Sequence, residues 1–174
     1  MARNDGAGMM DDRNVLFSHQ TFARAIEFIW REAELLDRRD YAAWLELWEP
    51  KGFYVVPIDP DTTDYASTLN YAYDDHDMRE KRVERMTSGY SASASDAART
   101  VRTVSRFTLS SDSADGVEVK SSQVIVAYKR GVSTIFAADL THKISMASGE
   151  PRLVEKVIRL IDSTEALSAI GFLL

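Results

Sequence analysis

The chain is predicted to fold as an α+β domain, with N-terminal helices packed on one face of a curved, mostly antiparallel sheet. Two observations carry that prediction. Apolar residues recur every three or four positions between Phe22 and Leu36, and from Arg99 onward they recur every second position. Helices therefore come first and a run of hairpin-connected strands second, with no internal repeat and no linker between them. That order can close into a cone with an internal cavity. Residues 1–17, rich in Gly, Asp and Asn, read as a loose arm, and residues 18–174 as one domain.

Each element has its own signal. Phe22, Ile26, Ile29, Ala33 and Leu36 form one helical stripe, with Ser18 as N-cap and "LDRRD" (36–40) as the stop. A second, short helix starts at Asp40, carries Trp44, Leu47 and Trp48 on its apolar side, and ends in "EPKG" (49–52). "FYVVP" (53–57) is a strand, "IDPDTTDY" (58–65) a loop with Asp-Pro turn chemistry, and "LNYAY" (69–73) a short strand. Met78 to Thr87 is helical, with Gly89 near its end, and "SASASDAA" (91–98) is a polar connector. In "RTVRTVSRFTLS" (99–110) the alternation places Val101, Thr103, Phe107 and Leu109 on one face, and Arg102 and Arg106 on the other. After the turn "SDSADG", Val117 and Val119 fall out of phase with Val124, Val126 and Tyr128, and a β-bulge near Ser121–Ser122 would reconcile them. Past "KRG", Val132, Thr134, Phe136, Ala138 and Leu140 alternate on a further strand. The apolar residues of "RLVEKVIRLID" (152–162) also suit a helix, but the stretch follows a hairpin-type turn and is read as the last strand.

Composition narrows the function. The chain has 174 residues, enough to bury a core without covalent staples, and its 45% hydrophobic and 28% charged residues suit a globular domain. A net charge of −6 argues against general nucleic-acid binding. No apolar run reaches the roughly 18 residues that span a bilayer, and the N-terminal stretch has no secretory core. Zero cysteines fit a cytoplasmic protein and exclude a self-contained iron–sulfur cluster, since even a Rieske centre takes two thiolates.

The run Asp74, Asp75, His76 and Asp77 is the most conspicuous polar cluster. A mononuclear iron site would need two histidines and a carboxylate, but His19, His76 and His142 lie on separate elements. A calcium loop would alternate its ligands around a glycine, which "DDHDMREKRVER" does not. Helix capping by Asp75 or Asp77 is the structural reading. The helix that follows carries Met78, Val83 and Met86 as a narrow apolar strip, and its arginines suit an acidic partner surface. For acid–base catalysis inside a cone, Asp40, Tyr54, His76 and His142 are the candidates, each with a plain alternative as cap, strand residue or hairpin-edge residue. Nucleophilic catalysis has no cysteine and no Gly-x-Ser-x-Gly elbow to rest on. Trp30, Trp44 and Trp48 read as core.

"YDDHDMREKRVERMTSG" followed by "ARTVRTVSR" resembles the small (β) subunit of bacterial aromatic-ring-hydroxylating dioxygenases. The matching positions are Asp74 and Asp75, then Met78, Lys81, Arg82, Val83, Arg85 and Met86, then Arg99, Arg102 and Ser105. The likeness runs from about residue 18 to 174. It departs at "SASASDAA", where many relatives carry Trp or Pro. The resemblance implies a cystatin-like, ketosteroid-isomerase-like cone. It further implies a non-catalytic subunit without cofactors of its own, beside an α subunit that holds the Rieske [2Fe-2S] cluster and the mononuclear iron. An α3β3 hexamer with other β chains in a trimer is expected, with Tyr73, Asp74, Asp75, His76, Arg82, Arg85, Arg99 and Arg102 at the assembly surface. Two expectations compete with it: a free-standing isomerase or dehydratase on the same fold, using Asp, His and Tyr, and a small-molecule binding module on that fold, which would show a cavity without convergent acids and bases.

Overall fold

The computed structural model describes residues 20–88, 98–165 and 170–174. The N-terminal arm, the Ser18 cap, Gly89 and all of the connector except Ala98 lie outside these residues. Helix α1 (Gln20–Arg38) presents the expected stripe, with Phe22, Ile26, Ile29 and Leu36 buried and Ala33 half-buried. Arg39 ends it in a left-handed conformation (φ 59°), and Asp40 caps α2 (Tyr41–Leu45) by accepting a bond from the Ala43 amide. Trp48 does not belong to that helix as expected; it opens β1 (Trp48–Pro57), and "EPKG" lies within the strand. A close approach explains the pattern. A Cβ on Gly52 would sit 2.9 Å from the Leu153 carbonyl oxygen, so the glycine lets the strand pass its neighbour where the register shifts.

β2 (Asn70–Asp74) pairs antiparallel with β1, and α3 (His76–Thr87) follows at once. Then come β3 (Arg99–Ser113), β4 (Gly116–Lys129), β5 (Val132–Ser145) and β6 (Arg152–Leu160). The six strands form one open sheet in the order β2-β1-β6-β5-β4-β3, antiparallel except for the β1–β6 pair. α1 packs across β3 and β4, and the core fills the space between the helices and the concave face. This is the α+β architecture that the sequence predicts, with 152–160 a strand.

Two strand assignments need correction. On β3, Thr100, Arg102 and Val104 point inward while Val101 and Thr103 point out, so Arg102 and Arg106 do not share a face. The extra residue lies here: Ser105 pairs with Ser122 but Thr108 with Lys120, and Arg106 has φ 55°. This bulge turns Phe107 and Leu109 toward the core side. On β4 no bulge occurs at Ser121–Ser122. Val117, Val119, Ser121, Gln123, Ile125 and Ala127 all face inward, and the pairing with β5 runs without interruption. Val124, Val126 and Tyr128 are simply on the outer face.

Candidate functional site

Asp74, at the end of β2, is buried. Arg82, two helical turns on, grips its carboxylate from Nε and from Nη2, the latter at 3.0 Å. Asp75 is the cap of α3, accepting the Met78 amide at 2.9 Å, with Asp77 in the first turn, where negative charge complements the helix dipole. Arg79 is also buried, its guanidinium 4.3 Å from the Trp48 ring centroid and its Nη1 donating to the carbonyls of Gly52 and Asp74. The stretch is thus a corner that ties α3 to β1 and β2. Replacing Asp75 by alanine should lower stability by about 1 kcal/mol, the usual worth of an N-cap; thermal unfolding would read it.

His76, Asp77 and Glu80 bring their ligand atoms within 4.8 Å of one another, but all three are exposed. His76 lies 3.4 Å from Glu80 one turn along the helix, as a solvated pair. Tyr73 stacks on Phe53 with centroids 4.9 Å apart. Arg85, which donates to the Lys81 carbonyl, and Arg99 are exposed. Arg102 is different. It lies inside the fold, where its Nε and backbone amide bind Asp37 at 2.8 and 2.9 Å and its Nη2 donates to the Leu173 carbonyl. Of the eight expected surface residues, Asp74 and Arg102 therefore hold the chain's own elements together. Arg82 is partly exposed, and Tyr73, Asp75, His76, Arg85 and Arg99 face outward.

The acid–base candidates do not meet. Asp40 and His76 are on the surface as cap and first-turn residue, while Tyr54 and His142 are buried. His142 was expected at a hairpin edge; β5 instead aims it inward between Leu140 and Ile144. There it joins Glu32, which sequence reasoning missed. The Glu32 carboxylate accepts from Lys156 Nζ at 2.9 Å and from Trp44 Nε1 at 3.0 Å, and His142 Nε2 lies at 3.3 Å. Glu32 sits at an inward position of the α1 stripe, and Lys156 shares the inward phase of Ile158 and Leu160, so two charges in apolar registers were the available signal.

Burial alone would raise the Glu32 carboxyl, but the Lys156 ammonium and the His142 bond outweigh it and hold it well below the carboxylate range. Burial lowers His142 despite Glu32 beside it, and burial likewise lowers Lys156. The imidazole is therefore neutral at pH 7 and donates from Nε2 to an ionised Glu32. Because the folded state resists protonation at His142, the unfolded chain binds more protons below its ordinary pKa of about 6.5. Stability is thus full above that pH and falls as pH drops below it, with Glu32 adding a second loss below about 4.3. Unfolding free energy measured from pH 7.5 to 5 should fall by up to about 1.4 kcal/mol per pH unit from this histidine, and His142→Gln should flatten that limb.

Residues 172–174 pack into the interior. Phe172, Leu173 and Leu174 are buried, with Phe172 edge-on to Phe136. Tyr54 Oη accepts the Leu174 amide at 3.0 Å, and Lys156 Nζ donates to the Leu174 carbonyl at 3.1 Å. Burial raises the Tyr54 phenol far above its ordinary value, offset only in part by its bond with the Leu174 backbone. Tyr54 and Lys156 are thus committed to holding this segment, and the Glu32 cluster lies within the packed interior.

The outer face of the sheet is the opposite case. Cross-strand pairing lines up Val101, Val126 and Ile135 across β3, β4 and β5, and these side chains are 69%, 41% and 66% exposed. The next rows on the same face are Thr103–Val124–Ala137 and Arg99–Tyr128–Ser133. Beyond them Arg106, Ser122 and Asp139 form a polar border, joined by an ion pair at 2.7 Å. An apolar strip with a polar rim on a long sheet is the composition of an association surface.

This architecture defines a cystatin-like fold, helices packed on one open, mostly antiparallel sheet. It is similar to an NTF2-like protein with a cystatin-like fold from Novosphingobium aromaticivorans (TM-score 0.61, 18% identity, 91% of this chain and 96% of that one). It is also similar to the β subunit of the benzoate 1,2-dioxygenase from Burkholderia mallei (TM-score 0.72, 20% identity, 87% and 96% covered). The small oxygenase component of the p-cumate 2,3-dioxygenase system of Pseudomonas putida is 28% identical over 132 residues, 75% of this chain and 73% of that protein. The family model described as "Ring hydroxylating beta subunit" matches residues 31–165. The chain belongs to the ring-hydroxylating dioxygenase β-subunit family.

Proposed function

We propose that this chain acts without chemistry of its own, as the small subunit that supports a cytoplasmic large subunit carrying a Rieske cluster and a mononuclear iron. The assembly is an α3β3 hexamer, with the β chains in contact as a trimer. The observation that carries this reading is the exposed Val101–Val126–Ile135 row and its apolar neighbours. A monomer gains nothing from an apolar outer face on its longest strands, whereas an assembly buries it. The interior supports the same reading, because Tyr54 and His142 are locked into bonds and Phe172–Leu174 are packed in beside them. The residues do not suit either iron centre. The chain has no cysteine for a Rieske cluster. Among the described residues, His76 is exposed and His142 is bound to Glu32, so no pair of histidines shares a site. Tagged chain isolated from its own host should bring down an equimolar larger polypeptide that contains iron and acid-labile sulfide. Stoichiometric iron on the isolated chain, or isolation without any such partner, would overturn the reading.

A further inference from the structure

Beside Phe172–Leu174 lies a cavity of ≈ 210 Å³ that the packing leaves open. Its walls include Val56 on β1, Ala72 on β2, Met86 on α3, Leu160 on β6 and Phe172. An enclosed cavity of about 150 Å³ with wholly apolar walls takes up benzene; this one is partly open and adds Tyr54, Tyr71 and Arg82 at its edge. This one has room for a single ring and a few further atoms, and is smaller than the pockets of drug-sized ligands.

Its polar edge is sparse. Tyr54 spends its hydroxyl on Leu174, and Tyr71 donates its own to the Ser163 carbonyl at 2.8 Å. Arg82 is the exception. Its Nε and Nη2 hold Asp74, and its third nitrogen, Nη1, has no bonding partner among the described residues. Asp74 neutralises the guanidinium charge, so what Arg82 offers a ligand is an N–H donor next to a carboxylate. That favours an uncharged acceptor oxygen over an anion.

We infer that this cavity binds a neutral, one-ring aromatic molecule bearing an acceptor oxygen, its ring between Met86, Ala72 and Phe172 and its oxygen on Arg82 Nη1. The inference does not depend on the assembly role, and its failure would leave that role standing. The test follows the methyl resonances of Ala72 and Met86 while full-length protein is titrated with acetophenone, toluene or benzoate. Acetophenone should bind saturably, about fivefold tighter than toluene, the worth of one net hydrogen bond, and benzoate should bind more weakly than acetophenone. Met86→Trp, which fills the cavity from the helix side, should weaken acetophenone at least tenfold. Arg82→Lys keeps a cation for Asp74 but removes Nη1, and should bring acetophenone and toluene to equal affinity. Absence of saturable acetophenone binding, benzoate binding the tighter, or a preference for acetophenone that survives Arg82→Lys would each overturn the inference. Unchanged affinity in a folded Met86→Trp protein would do so too.

Discussion

Glu32→Ala should destabilise the subunit by about 3–5 kcal/mol, the cost of leaving a buried charge without its partner. Lys156 is almost wholly inaccessible to solvent, and among the described residues the side-chain carboxylate that pairs with it is Glu32, at 2.9 Å. Trp44 Nε1 loses its acceptor in the same substitution, and His142 loses the bond that fixes its tautomer. A typical domain is stable by only 5–15 kcal/mol, so the variant should be soluble in small yield at best. A second substitution separates charge from shape. Glu32→Leu combined with Lys156→Met removes both ions and keeps the volume, and it should recover most of the loss. Urea unfolding of the three proteins decides it. Equal instability of single and double variants would mean that packing, not the ion pair, sets the cost.

Ile135→Asp combined with Val126→Asp should abolish self-association of the chain while leaving its fold intact. The two side chains are paired neighbours on the outer face, so their replacement removes no core contact. Two carboxylates directly opposite on neighbouring strands repel each other, at a cost to the monomer of about 1 kcal/mol. In an interface the same carboxylates would be desolvated side by side, at a cost of several kcal/mol. Sedimentation velocity should therefore show an associating wild type and a monomeric double variant that still unfolds cooperatively, at a slightly lower thermal midpoint. Retention of the wild-type mass would move the contact surface elsewhere, to the exposed Tyr73, His76, Arg85 and Arg99.

The same outer face explains what could and could not be read beforehand. The α1 stripe was legible because a helix with one buried side repeats its apolar residues at one spacing. The strands were located, but their faces were not. An antiparallel sheet with one wet face alternates apolar and polar residues cleanly, and here Val124, Val126 and Tyr128 on the outside look like core residues out of step. A bulge was placed on β4 to bring them inward, when the extra residue lies opposite, at Arg106 on β3. Arg102 points inward because Asp37 meets it from 65 residues away, a pairing with no local trace. The capping role of Asp75 was legible, since a cap is a local bond; the burial of Asp74 by Arg82 depends on how α3 folds back over β2. Glu32 and His142 escaped notice as a pair for the same reason, being 110 residues apart.

The central claim, that the chain contributes assembly and no chemistry, is tested most directly on the reconstituted oxygenase. Asp40→Asn, Tyr54→Phe and His76→Gln together remove the proton-transfer groups of three candidate residues while keeping their shape. The fourth, His142, is bound to Glu32 in the interior. Turnover is measured per assembled complex, after the complex has been isolated and its iron counted. Turnover should stay within about twofold of wild type. A variant that assembles in full, holds its iron and loses tenfold or more in turnover would contradict it.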